Sequence, residues 1–266
     1  MDIIYIAIFS VTSIGIICAG ALCIAAKFMG VSVDERLAKI EACLPGANCG
    51  ACSYPGCSGY AKALLADPSV KTNLCSPGGA ATAKMLSEML GVEAGEIVRK
   101  IAVIHCLGSD TTQKKKMDYK GVQSCSAAKQ IFNGEGACPF GCIGFGDCET
   151  VCPQNAICME DSLARVIPAF CTGCGKCVKA CPNKLISIEN AGIAVSVLCK
   201  NLERGAVTRK KCSIGCIGCG KCARECPEKA ITITDNLAVI DYEKCTGCGH
   251  CVEQCVSKCI KPNKPM

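Results

Sequence analysis

The sequence predicts an α+β protein with a single N-terminal transmembrane helix, a small helical cysteine-rich domain and two tandem copies of a small α+β unit. Three observations support this prediction. An uncharged apolar stretch opens the chain, 29 of the 266 residues are cysteine, and the cysteine pattern beyond residue 120 repeats with a shift of 74 positions. The expected boundaries are 1–27 for the anchor, 28–100 for the helical domain, 101–190 for the first unit with its N-terminal linker, and 191–266 for the second.

Residues 3–26 form the uncharged segment, which is long enough to cross a bilayer as a helix. A cleaved signal peptide would begin with positive charge, whereas here Asp2 precedes the segment. Lys27 and Arg36 follow it. The positive-inside rule therefore predicts a single-pass anchor in the inner (cytoplasmic) membrane, with the N-terminus outside and the rest of the chain in the cytoplasm.

Two cysteine runs share the spacing C-x2-C-x2-C-x3-C, which is the binding loop of a cubic 4Fe-4S cluster. Three thiolates of such a run hold one cluster, and the fourth reaches a second cluster. Zinc ribbons instead use paired C-x2-C knuckles with long gaps, and disulfide scaffolds are typical of short secreted chains. We therefore expect iron–sulfur clusters in a reducing compartment. The first run is Cys171, Cys174, Cys177 and Cys181, and the second is Cys245, Cys248, Cys251 and Cys255.

Each run has an upstream partner that is expected to share its clusters, as in two-cluster ferredoxins. Cys152 should join the cluster of the first run, and Cys226 should join that of the second. Cys255 should return to the cluster of the upstream loop in the second unit, and Cys181 should do so in the first. The upstream loops are Cys142 and Cys148 in the first unit and Cys216, Cys219 and Cys222 in the second.

The first upstream loop lacks a ligand, because Phe145 stands where the second unit has Cys219. We expect Cys138, four residues before Cys142, to supply the missing thiolate, and the alternative is a site with only three cysteines. Cys106, Cys125 and Cys199 are left over, and they either hold a sixth cluster or are buried small residues. The roles of Cys212 and Cys259 stay open.

The helical domain contains a further cysteine set with the spacing C-x2-C-x4-C-x17-C. Its glycine-rich loop would let backbone N–H groups approach the sulfur atoms, although a zinc site remains an alternative. We expect helices after Ser32, around Tyr60, and over residues 85–90, where Met85 and Met89 belong to a packing stripe. The set is Cys49, Cys52, Cys57 and Cys75, which brings the expected total to five 4Fe-4S clusters.

Charge and motifs exclude other classes of function. The formal charge is +6 with neutral cysteines, but five clusters of about −2 each would bring it to roughly −4, so no nucleic-acid partner is expected. The sequence contains no Walker loop, no dinucleotide fingerprint and no Ser-His-Asp arrangement. We expect residues 108–120, which include the basic run 114–116, to be a solvated, flexible link.

The whole arrangement resembles the B subunit of the Rnf electron-transport complex. The resemblance depends on the N-terminal anchor, the segment LPGANCGACSYPGC with the later CSPGG, and the two cluster pairs. It implies a translocase component that takes electrons from soluble reduced ferredoxin and passes them to other Rnf membrane subunits, with no substrate-transforming site of its own. The final acceptor, NAD or a cytochrome, and the pumped ion stay open. The alternative is a stand-alone membrane-tethered polyferredoxin that serves another oxidoreductase.

Overall fold

The structure is a computed structural model that describes residues 2–28, 35–93, 95 and 98–263. The chain separates into two compact units, Met1–Ile40 and Glu41–Met266. The first contains α1 (Asp2–Phe28), in which Ile4–Ala25 is long and apolar enough to cross a membrane; no other helix among the described residues passes this test of length and composition. Helix α2 covers Glu35–Cys43, and Ser32, its expected capping residue, lies outside the described residues.

Two helices form the part of the second unit that precedes the repeats, α3 (Gly56–Ala66) and α4 (Gly79–Leu90). Tyr60 of α3 and Leu86 of α4 are fully buried. The expected packing stripe on α4 is wrong in two positions, because Met85 and Met89 are 43% and 49% exposed. The buried face of α4 instead combines Leu86 with small and polar residues.

The remainder of the second unit contains two structurally similar modules. Module 1 contains β1 (Lys100–Ile104), α5 (Cys125–Gln130), α6 (Asp147–Thr150), β2 (Ile157–Glu160), β3 (Leu163–Val166), α7 (Lys176–Ala180) and β4 (Ile186–Asn190). Module 2 contains β5 (Val195–Val197), α8 (Gly205–Lys211), α9 (Lys221–Arg224), β6 (Ile231–Thr234), β7 (Leu237–Ile240), α10 (His250–Gln254) and β8 (Ile260–Pro262). The expected short strand at 231–234 is confirmed.

Each module has two antiparallel two-stranded sheets. Strands β2 and β3 form a hairpin in module 1, as do β6 and β7 in module 2. The other sheet pairs the module's first and last strands, with Ile104 opposite Ile186 in β1–β4 and Val197 opposite Ile260 in β5–β8. Five elements of module 1 reappear in module 2 after a shift of 74 residues, but β5 lies 93 residues after β1. Module 1 therefore carries an insertion between β1 and α6, which lies within residues 107–137.

This insertion is held in place by hydrogen bonds to both modules; in module 1, the Asp110 N–H donates to the Asp161 carbonyl (3.1 Å). The Lys114 N–H donates to the Lys211 carbonyl (2.9 Å), and the Ser213 N–H donates to the Thr112 carbonyl (3.0 Å). The Ala137 N–H donates to the Lys114 carbonyl (2.8 Å). Lys115 lies 2.7 Å from Glu135 in an ion pair. The basic run 114–116 is exposed, as expected. A flexible link over residues 108–120 is not found, because β-type pairing ties this segment to module 2.

The core of each module is built largely around thiols. Buried aliphatic residues of the paired strands, such as Ile104, Ile186, Val195 and Ile260, pack in the same clusters as cysteine side chains. The sequence contains no tryptophan and few other aromatic residues, so large side chains contribute little to this packing. Groups that bind the cysteines would therefore become part of the core itself.

Candidate iron–sulfur sites

The N-terminal set comes together around the start of α3. Burial raises the pKa of Cys75, and the nearby thiols of Cys57, Cys52 and Cys49 raise it further. The Cys57 N–H donates to the Asn48 side-chain oxygen (2.8 Å), which fixes the loop against the helix. Gly56 has a φ of +80° there, and a Cβ at this position would lie 2.8 Å from the same oxygen. The four expected ligands of this site are therefore neighbours in the structure.

The first three cysteines of each run lie on one loop, called a triple loop below. Each triple loop encloses a cavity together with one upstream cysteine. In module 1, Cys152 lines a cavity of about 340 Å³ with the three cysteines of the first run. In module 2, Cys226 lines a cavity of about 340 Å³ with the corresponding three. Burial raises the pKa of Cys177 to about 11, and the surrounding thiols add to the effect. The lining cysteines are Cys171, Cys174 and Cys177 in module 1, and Cys245, Cys248 and Cys251 in module 2.

The cavity of the upstream loop of module 1 is lined by a different cysteine from the one expected. A cavity of about 390 Å³ is lined by Cys142, Cys148, Cys181 and Cys125. The pKa of Cys148 is raised to about 12, mainly by burial. The nearby thiols of Cys142, Cys125 and Cys181 raise it further. Cys138 does not line this cavity; it lies beside Cys212. The geometry therefore favours Cys125 over Cys138 as the fourth thiol of this loop.

The insertion explains how Cys125 reaches this place. Cys125 is the first residue of α5, and its N–H donates to the Asp147 carboxylate (2.8 Å), as does the N–H of Ser126 (3.0 Å). Burial opposes ionisation of Asp147, but these hydrogen bonds outweigh it and hold the pKa of Asp147 below its ordinary value. Phe145 stands where the second unit has a cysteine, and its ring packs against that of Tyr119 in a tilted arrangement, with centroids 5.5 Å apart.

The upstream loop of module 2 has its four expected cysteines and a fifth beside them. Burial raises the pKa of Cys222 to about 11, and the thiols of Cys216, Cys255 and Cys219 contribute. The fully buried Cys259 lies with its Sγ 3.7 Å from that of Cys255. A hydrogen bond from Cys259 lowers the pKa of Cys255 to about 5. Spacing along the chain assigns no role to Cys259, whose position in module 1 is taken by Leu185.

Four further cysteines, including Cys138, surround a cavity of about 320 Å³ where the two modules meet. They are Cys106, Cys138, Cys199 and Cys212. Cys125 is not among them, so the expected trio for a sixth site does not come together.

The donor set suits iron–sulfur clusters. Backbone N–H groups point at the sulfur atoms: Ala102 at Cys171 (3.3 Å), Ala156 at Cys152 (3.3 Å) and Leu185 at Cys181 (3.4 Å). Such bonds stabilise charged sulfur and tune cluster potentials. In the described part of the chain, no three Cys, His, Asp or Glu side chains converge on a point for a single metal ion. The thiols surround cavities instead, which fits a multi-iron group.

Fold and site together define a class: a multi-cluster iron–sulfur electron carrier. Residues 44–77 match an Fe-S cluster family, and residues 137–191 match an LdpA Fe-S cluster-binding domain. Residues 170–231 and 209–256 match two families of 4Fe-4S dicluster domains. These matches cover both modules and the N-terminal site.

Comparison with similar proteins shows which family of iron–sulfur proteins the chain belongs to. The chain is 39% identical over 231 residues to the B subunit of the "Na(+)-translocating ferredoxin:NAD(+) oxidoreductase complex" of Acetobacterium woodii, covering 86% of this chain and 69% of that protein. It is 41% identical to the proton-translocating counterpart of Clostridium ljungdahlii, covering 86% and 81%. It is 35% identical to the B subunit of the "Ion-translocating oxidoreductase complex" of Methanosarcina acetivorans, covering 84% of each. The chain belongs to the family of B subunits of the Rnf electron-transport complex, whose components are membrane-associated.

Proposed function

We propose that this chain is the membrane-anchored relay of an ion-translocating Rnf complex, which accepts electrons from reduced ferredoxin and passes them to the membrane subunits. The names of its relatives in Acetobacterium woodii and Clostridium ljungdahlii include ferredoxin and NAD(+) as the reacting pair. The observation that carries the proposal is the series of four-cysteine sets along one compact unit, because such a series suits electron transfer and nothing else in the described residues suggests another chemistry.

Five 4Fe-4S clusters are assigned to five of these sets, and each supplies one-electron chemistry when bound. The assignment follows the shared cavities and the electrostatic contacts between thiols, and it replaces Cys138 by Cys125. The sets are Cys49, Cys52, Cys57 and Cys75; Cys125, Cys142, Cys148 and Cys181; Cys152, Cys171, Cys174 and Cys177; Cys216, Cys219, Cys222 and Cys255; and Cys226, Cys245, Cys248 and Cys251.

The protein's own residues would bind the clusters, limit their contact with water and tune their reduction potentials. Burial raises the pKa of thiols such as Cys148 and Cys177, so iron must displace their protons, and loading releases protons. The aliphatic residues of the paired strands pack against the buried thiols, such as those of Cys148 and Cys177, and limit the access of water to them. The N–H donors of Ala102, Ala156 and Leu185 stabilise negative charge on three of the ligands.

The N-terminal helix anchors this relay, with residue 1 outside and the cluster modules in the cytoplasm, where a soluble ferredoxin can dock. Lys27 and Arg36 beyond the apolar segment support that orientation. A C-terminal tag should be accessible to protease in inverted membrane vesicles and protected in right-side-out vesicles. Accessibility in right-side-out vesicles would contradict the orientation.

Co-purification from detergent-solubilised membranes, under anaerobic conditions, tests the complex. The tagged full-length chain should bring down multi-span membrane subunits, and reduced ferredoxin should reduce its iron–sulfur signals in low-temperature EPR. Isolation alone or with an unrelated soluble dehydrogenase would favour a tethered polyferredoxin. A chain without iron–sulfur signals would contradict the proposal altogether.

A further inference from the structure

Four cysteines outside the five assigned sets meet where the two modules contact each other. Cys106 and Cys138 come from module 1, and Cys199 and Cys212 come from module 2. They line one cavity of about 320 Å³, close in size to the cavities of the triple loops. The Cys138 thiol is close enough to the thiols of Cys106, Cys199 and Cys212 to interact with each electrostatically.

The four thiols are related by the same pseudo-symmetry that relates the modules. Cys106 follows Ile104 of β1 by two residues, as Cys199 follows Val197 of β5, and these two strand residues occupy equivalent register positions. Cys138 and Cys212 are equivalent by the 74-residue shift. Each module therefore contributes the same two positions, which a collection of unrelated buried cysteines would not do.

The hydrogen bonds around the thiols repeat as well. The sulfur of Cys106 accepts N–H bonds from Gly108 and Cys142, both at 3.3 Å. The sulfur of Cys199 accepts the equivalent bonds from Asn201 (3.5 Å) and Cys216 (3.3 Å). Two backbone donors on one sulfur would stabilise the negative charge of a metal-bound thiolate.

Polar groups of both modules close the site. Asn201 is only 2% exposed, and its side-chain NH2 donates to the sulfur of Cys138 across the module boundary (3.4 Å). Gln113 of the insertion forms a β-bridge with Cys212. The insertion thus fixes the ligand position of the opposite module.

We infer that Cys106, Cys138, Cys199 and Cys212 hold a sixth 4Fe-4S cluster that bridges the two modules. Cys142 and Cys216, whose N–H groups reach the sulfur atoms of Cys106 and Cys199, are themselves assigned to one cluster in each module. A bridging cluster would thus supply a one-electron carrier between the upstream sites of the modules. The inference rests on the proposed function for the identity of those neighbours.

A single zinc ion is the competing occupant of four thiols. Four thiolates on one zinc ion would lie within about 4 Å of one another, because each Zn–S bond is about 2.3 Å. Among the described residues, no three of these thiols converge as the ligands of a single metal ion, and the four instead line one cavity. A cubic cluster therefore suits the site better than one zinc ion.

Metal analysis of the anaerobically purified full-length chain tests the site. The wild type should contain about 24 irons and 24 acid-labile sulfides per chain, and Cys212→Ala should lose about four of each. Cys138→Ala should lose the same four, and the double variant should lose no more than either single variant, because both residues bind one cluster. Cys158→Ala is the matched control, since Cys158 lies on β2 near the Arg165 carbonyl and lines none of these cavities, and it should keep the full count.

Several outcomes would overturn the inference. About 20 irons in the wild type would leave the five assigned clusters intact and remove the sixth, whereas absence of all iron would instead contradict the proposed function. A loss of about eight irons in the double variant would mean that Cys138 and Cys212 serve different clusters. One zinc per chain that disappears in Cys212→Ala would make the site a zinc site.

A substitution that keeps all four thiols covers the case in which the cysteine variants do not fold. Asn201→Leu removes the hydrogen bond to Cys138 and should keep the full iron count, while the reduction potential of one cluster, followed by EPR, falls because a donor to its sulfur is lost. Unchanged potentials for every cluster would contradict a cluster at this site.

Discussion

Gly173 and Gly175 lie two residues apart in the first cysteine run and offer a matched pair for testing how β1 packs on the cluster loop. Both have positive φ, +66° and +76° respectively. A Cβ at Gly173 would lie 2.6 Å from the Lys100 carbonyl oxygen, whereas a Cβ at Gly175 would meet nothing within 4 Å. Gly173→Ala and Gly175→Ala should therefore share the backbone cost and differ in the contact with β1.

The backbone cost is about 1 kcal/mol for each alanine, because left-handed conformations are unfavourable for residues with a Cβ. The contact adds about 2 kcal/mol for Gly173→Ala, as is usual for overpacking a close interior contact. Strand β1 cannot retreat easily, since all five of its residues are paired with β4. For a unit of this size, about 2 kcal/mol lowers the unfolding temperature by about 5 °C.

The assay is anaerobic thermal unfolding of the full-length holoprotein, followed by the loss of visible cluster absorbance. Gly173→Ala should have a midpoint about 5 °C below that of Gly175→Ala. A displaced β1 should also lengthen the bond from the Ala102 N–H to the Cys171 sulfur, which lowers the reduction potential of that cluster. Equal midpoints and equal potentials in the two variants would refute the packing of β1 on this loop.

Three further outcomes are expected. Cys125→Ala should cost about four irons per chain, or about one if the cluster persists in three-iron form, with Cys158→Ala unchanged; a full iron count would return the fourth ligand to Cys138. Cys259→Ala should lower the potential of one cluster by about 40 mV, because a hydrogen bond of about 1 kcal/mol to the Cys255 sulfur is lost. An unchanged potential would make Cys259 a packing residue. Anaerobic chelation of all iron should abolish most of the circular dichroism of the second unit, and retention of the native spectrum would show that its core does not depend on clusters.

The local parts of this architecture could be predicted from the sequence, and the parts that depend on distant segments could not. The sites of the triple loops can be predicted from the sequence, because three ligands close together in the chain define one site. The choice between Cys125 and Cys138 depends on where an insertion folds, and spacing along the chain carries no information about that. A better signal is the short, mostly apolar segment that precedes Cys106 (IAVIH) and again precedes Cys199 (IAVSVL).

The 74-residue repeat is also misleading in one respect. It pairs Cys125 with Cys199 by position, but Cys125 begins a helix, whereas Cys199 follows a strand and is the structural counterpart of Cys106. The coincidence arises because the insertion in module 1 separates β1 from the rest of its module. A constant spacing of 74 residues between paired cysteines therefore does not guarantee that every pair occupies equivalent positions in the fold.

The departures of module 1 from the repeat have a single physical origin in this insertion. It contributes Cys125, which lines the cavity of the upstream loop, and Tyr119, which packs against Phe145 where the cysteine is missing. Cys138 is thereby free to keep the position equivalent to that of Cys212 at the module boundary. The insertion also pairs with module 2 at Thr112 and Lys114. The insertion thus both supplies a thiol where Phe145 leaves one missing and joins the two modules, so shortening it should disturb the upstream site and the contact between the modules together.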